Sequence, residues 1–108
     1  MNDIEKQNEL AEIAMQIILH SGNARKLIDE AFKEAKAGDF ESPKAKMDEA
    51  NAEIVEAHRA QTKLIQAEAR GETHQPTILF NHAQDNLMIV ASEMAITKRL
   101  IEILEIKK

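Results

Sequence analysis

Between Leu10 and Ala35, small and apolar residues recur at alternating steps of four and three: Leu10, Ala14, Ile17, Ser21, Ala24, Ile28, Ala31 and Ala35. At about 100° per residue, that spacing gathers them on one face of a single long helix. A half-buried strand would instead alternate every second residue over a much shorter run. The Ser21-Gly22 pair interrupts the apolar pattern, which predicts a kink or a close helix contact there. Gly38 suits the position just past the C-cap of this helix.

A second periodic segment carries Met47, Ala50, Ile54, Ala57, Gln61 and Leu64 on its seam. Two starts are open for it. Asp39 can cap it, or Ser42 can cap it with Pro43 at the first helical position, where a missing N–H costs nothing. The pattern stops near Gly71, Glu72 to Pro76 read as a loop, and Pro76 or Thr77 opens a third helix that runs almost to the C-terminus. Connections this short favour antiparallel neighbours. The expected fold is therefore all-α, an up-down-up bundle of three helices in a single domain spanning 1–108. Three Gly and two Pro are too few for the turns of an all-β fold, and with no Trp or Tyr the core must pack through Leu, Ile, Met and Ala.

Charge and composition exclude several roles. A net charge of −5 argues against a nucleic-acid partner, because phosphate backbones are held by basic surfaces. No apolar run reaches the roughly 20 residues that span a bilayer. The acidic start, Met1 to Glu5, lacks the basic-then-apolar order of a signal peptide. With no Cys there is no disulfide, thiol nucleophile or thiolate metal site. A cytoplasmic protein is the expected setting.

The third helix carries more apolar surface than a three-helix bundle requires. Leu79, Ala83, Leu87, Val90, Met94, Ile101 and Leu104 share one stripe, while Ile78, Ile89, Ile96, Leu100 and Ile103 form another well round the helix. A second stripe implies a second buried surface, most simply another copy of the chain. The alternative is one wide stripe in a monomer.

His82 and Asp85 lie on that second stripe, and their i, i+3 spacing puts both on one face. Imidazole is largely neutral and nucleophilic near pH 7, so His82 can accept and release a phosphoryl group. Alone, His-x-x-Asp is a weak signal whose default reading is an exposed pair. An apolar surround of Ile78, Phe80 and Ile89 strengthens it, since a carboxylate avoids such a stripe without a purpose. On helix 2, Asn51, His58, Gln61 and Thr62 fall on or beside the seam, either as satisfied core polar groups or as the lining of a cleft. His20 and His74 belong to no constellation. No cluster of three metal ligands, glycine-rich phosphate loop or recognisable Ser nucleophile is present, so turnover of a small molecule by the chain alone is not expected.

Several segments, in their order and spacing, resemble the lactose/cellobiose (chitobiose) class of IIA components of the sugar phosphotransferase system. They are Ile17-Ile18, Ser21-Gly22-Asn23-Ala24-Arg25, Ala35-Lys36-Ala37-Gly38-Asp39-Phe40, the run from Glu56 to Ile65 (EAHRAQTKLI), and His82-Ala83-Gln84-Asp85-Asn86-Leu87-Met88. The resemblance covers nearly the whole chain. It implies a homotrimer of three-helix subunits, with His82 as the phosphoryl acceptor (tele-phosphohistidine) and Gln84, His58 and Gln61 in support. It implies phospho-HPr as the donor, a cysteine of the IIB component as the acceptor, and contact with the membrane component IIC only through IIB. Asp85 matches an acidic residue at the trimer axis, where magnesium or another divalent cation is the implied structural metal. Two positions depart from the pattern. Asn86 stands where the family commonly has a second His, which removes a titratable group, and Asn81 replaces an apolar residue before His82. A non-catalytic helical module that keeps the fold and a metal-dependent hydrolase using His82 and Asp85 remain as competing readings.

Overall fold

The computed structural model describes residues 3–71 and 77–108, which form three helices: α1 (Asp3–Lys36), α2 (Ser42–Ala69) and α3 (Ile78–Lys107). The bundle is a rod of 58 × 20 × 19 Å. That length is close to the roughly 51 Å expected of 34 helical residues at about 1.5 Å each, so α1 runs most of the way.

Each helix ends for a local reason. At the end of α1, Gly38 adopts φ +95, and the N–H groups of Gly38 and Asp39 return to the carbonyls of Ala35 and Glu34. This crossed pair is a Schellman closure, and its left-handed residue favours glycine. Of the two expected caps of α2, Asp39 is the one that serves. Ser42 lies inside the helix and Pro43 follows it, while the Asp39 carboxylate accepts the N–H groups of Glu41 and Ser42 at 3.0 and 3.1 Å. Hydrogen bonds from Ser42, from its hydroxyl first and its backbone second, hold the Asp39 carboxyl below its usual range. Thr77 caps α3, its hydroxyl accepting the N–H of Phe80 at 3.0 Å. The expected loop from Glu72 to Pro76, with His74, lies outside the described residues.

The eight positions of the first seam are all buried, none more than 4% exposed. Ala14, Ala24 and Ala31 allow close approach, and Ile17 and Ile28 fill the space between helices. Helix α1 is continuous through Ser21-Gly22. The close contact expected there falls on Ser21, fully buried with its hydroxyl unpaired among the described residues, whereas a Cβ on Gly22 would meet open space.

The chain runs up, down and up. Glu34 of α1 pairs with Lys46 near the start of α2, and His20 with Glu53 further along, so the two run antiparallel. Arg25 of α1 grips Glu93 of α3, while Gln61 of α2 reaches Gln84 of α3. Helix α1 packs extensively on both partners, which touch each other far less. Toward the far end, α2 and α3 stand apart over a groove lined by Met47, Asn51, Met94 and Ile101.

The two stripes of α3 separate largely as expected. Phe80, Ala83, Leu87 and Val90 are buried, and Met94 packs against that core. Two assignments need correction. Leu79 is 38% exposed, while Phe80 is buried at 6%. At about 100° per residue, Phe80 lies nearer the bearing of Leu87 than Leu79 does, so Phe80 belongs to the core and not to the surround of His82. The second stripe stays on the surface: Ile78 is 90% exposed, and Ile89, Ile96, Leu100 and Ile103 lie between 41% and 52%.

Candidate functional site

His82 and Asp85 are both exposed on the outer face of α3, one turn apart and bracketed along the helix by Ile78 and Ile89. The helix holds them there because Ala83 and Leu87, on the opposite bearing, are drawn into the core. No Lys or Arg occurs from Thr77 to Ser92. Apart from Asp85, the polar residues next to His82 along the chain are neutral amides, Asn81, Gln84 and Asn86. Asn86 follows His82 by one turn on the same side, and it is half-buried.

The remaining predicted residues meet one another rather than His82. Gln61 donates through Nε2 to Oε1 of Gln84 at 3.3 Å, and its own Oε1 lies 3.3 Å from Nδ1 of His58. Because the Gln61 oxygen can only accept, this contact is a hydrogen bond in the tautomer with the proton on Nδ1 of His58. This is the polar network expected on helix 2, but it sits at the surface. His58, Asn51 and Thr62 are exposed, and Gln61 is half-buried, so none is a buried core group. Their bearings fall at the edge of the seam, on the side where α2 and α3 part.

His20 also departs from expectation. Its Nδ1 lies 2.6 Å from Oε2 of Glu53, and Asn23 donates to the same oxygen at 3.4 Å. The acidic partner is 33 residues away on another helix, so a search within one helical turn could not find it. Among the described residues, no three His, Cys, Asp or Glu side chains of one chain converge to hold a metal. Nor is any helix among the described residues long and apolar enough to cross a membrane.

An imidazole exposed on the outer face of a three-helix rod is open to contact by another macromolecule. The chain belongs to the lactose/cellobiose-specific IIA subunit family of the sugar phosphotransferase system, whose family model matches residues 12–105. It is 43% identical over 97 residues to the lichenan-specific phosphotransferase enzyme IIA component of Bacillus subtilis, covering 90% of this chain and 88% of that relative. The cellobiose-specific enzyme IIA of Bacillus anthracis superposes with a TM-score of 0.84 at 40% identity, over 87% of this chain and 86% of the other. The solution structure of the IIA(chitobiose)–HPr complex of Escherichia coli matches with a TM-score of 0.77 at 40% identity, over 89% and 93% of the two chains.

Proposed function

We propose that this IIA component carries a phosphoryl group on His82 between two protein partners during uptake of a β-linked disaccharide of the cellobiose, chitobiose or lactose type. The donor is phospho-HPr and the acceptor a cysteine of IIB, in the cytoplasm. The exposed position of His82 carries the reading, because both transfers require the reacting nitrogen to meet another protein's surface. In the first, Nε2 of His82 attacks phosphorus as the donor's P–N bond breaks and its electron pair returns to the donor imidazole. In the second, the cysteine sulfur attacks, the P–N bond to His82 breaks, and the pair returns to Nε2. Nothing covalent beyond the imidazole is needed, so the protein contributes position and hydrogen bonds.

The outer stripe of α3 supports a homotrimer, since its exposed isoleucines and Leu100 find cover most simply in other copies. A divalent cation fits this face only in that assembly. Asp85 supplies oxygen ligands of the type magnesium takes, but one chain offers a single carboxylate there, so Asp85 from each of three copies would hold the ion. When bound, it would relieve repulsion between those carboxylates.

The test is reconstitution with enzyme I, HPr and phosphoenolpyruvate. One acid-labile phosphoryl group per chain, discharged by IIB, is expected. A folded chain that takes no label would instead favour the non-catalytic module.

A further inference from the structure

We propose that the Arg99 side chains of three copies meet on the trimer axis and bind a tetrahedral oxyanion there, inorganic phosphate or sulfate, one per trimer. The proposal rests on the trimeric reading above, but not on the phosphoryl chemistry of His82.

The outer face of α3 is a heptad seam. From Asp85, the exposed residues Ile89, Ser92, Ile96, Arg99, Ile103 and Ile106 follow at alternating steps of four and three. Arg99 comes fourteen residues after Asp85, two full heptads, so the two hold the same position in the repeat. An assembly that brings Asp85 to its axis therefore brings Arg99 there as well. Rotation about a threefold axis leaves the direction of each α3 along that axis unchanged, so Arg99 of one copy meets Arg99 of the others. The Asp85 layer stands about 21 Å away at 1.5 Å per residue, too far for its carboxylates to pair with the guanidiniums.

The chain places nothing else to neutralise this layer. Ile96 and Ile103, which flank Arg99 in the seam, are apolar, and so is Leu100 beside it. The Arg99 guanidinium has no ion-pair or hydrogen-bond partner among the described residues. Glu102 is the one acidic residue within four positions of it. That side chain instead lines the groove between α2 and α3 with Lys98, four residues before it on the same flank.

Three guanidiniums facing one another across an apolar seam repel, and burying them uncompensated is costly. Arginine does not discharge by losing a proton, so relief has to come from an anion. A tetrahedral oxyanion shares the threefold symmetry of the layer and can turn one oxygen toward each arginine. The planar fork of guanidinium suits such oxygens, and two negative charges offset most of the three positive ones. Chloride brings one charge and no directed acceptors.

Equilibrium dialysis of labelled inorganic phosphate against wild type should find one ion per three chains. Sedimentation equilibrium then reads the assembly in chloride buffers of matched ionic strength. With a dissociation constant of about 1 mM or below, about 10 mM phosphate or sulfate raises the trimerisation constant roughly tenfold or more. The same gain should appear in His82→Ala and be lost in Arg99→Leu and Arg99→Gln. Without oxyanion, Arg99→Leu should trimerise more tightly than wild type, since it removes the repelling charges. The dialysis uses unaltered protein, so a variant that misfolds does not hide the site. Trimeric wild type that binds no phosphate overturns the proposal, as does a gain that persists in Arg99→Leu. A monomeric wild type overturns it by removing the axis. Phosphate bound by a trimer whose His82 takes no phosphoryl group would uphold the Arg99 site and sink only the carrier reading.

Discussion

His20 of α1 reaches across the bundle to Glu53 of α2, Nδ1 to Oε2 at 2.6 Å, while Asn23 approaches the same carboxylate oxygen. Both side chains are 28% exposed, so water screens the contact only in part. A double-mutant cycle with His20→Ala and Glu53→Ala, read by urea unfolding, should give a coupling of about 1 kcal/mol. Additive effects would reduce the contact to an incidental one.

Ser21 sits in the middle of the α1 seam with no exposed surface and no partner for its hydroxyl among the described residues. Replacing it with Ala removes an uncompensated polar group with little change of shape. Ser21→Ala should therefore be neutral or stabilising, by up to about 1 kcal/mol. Ser21→Leu should destabilise by about 1–3 kcal/mol, because the helices are already in close contact there. Thermal melting distinguishes the two.

The carboxylate of Asp39 ties the turn after α1 to the first N–H groups of α2, and its pKa is lowered from 3.8 mainly by hydrogen bonds from Ser42. A depressed carboxyl pKa stabilises the fold fully above the unfolded value, and the contribution disappears as pH falls through the lower folded value. Acid melts should thus show a loss beginning near pH 4 and continuing below it. Asp39→Asn keeps an acceptor oxygen and should flatten that part of the profile, whereas Asp39→Ala should lower the melting temperature at pH 7. An unchanged acid limb in Asp39→Asn would contradict this.

These features also mark where sequence reasoning reached and where it stopped. The α1 seam was fully legible, because four-three spacing over 26 residues leaves no other face to bury. The Gly38 closure was legible for a similar reason, since few residues besides glycine adopt φ +95 easily. The Leu79 and Phe80 assignment failed because the two flank the core stripe at the start of α3, and Phe80, nearer the bearing of Leu87, is the one that turns inward. His58 and Gln61 stood at the edge of a stripe, and periodicity alone could not say that Gln61 meets Gln84 of α3 there. The His20–Glu53 pair joins residues on different helices, so only tertiary packing reveals it.

Asp85 gives the prediction that bears on assembly. Exposed between Ile78 and Ile89, it would converge with two copies of itself in a trimer, where like charges repel unless a cation is recruited. Light scattering should return three times the 12.1 kDa chain mass. Asp85→Leu should stay trimeric, melt no lower than wild type in the absence of metal, and still accept phosphate at His82, since replacing buried charges by apolar groups is often neutral or stabilising. A folded, trimeric Asp85→Leu protein that no longer accepts phosphate would place Asp85 in the transfer itself.

The role of His82 is tested most directly by site-resolved mass spectrometry, under alkaline conditions, after phosphorylation by enzyme I, HPr and phosphoenolpyruvate. Wild type should carry one phosphoryl group, on the imidazole of His82. His82→Ala should carry none while keeping its helical content, and His58→Ala should still be labelled at His82. Label on a folded His82→Ala protein, or label lost only with His58→Ala, would contradict the assignment of His82 as the phosphoryl acceptor.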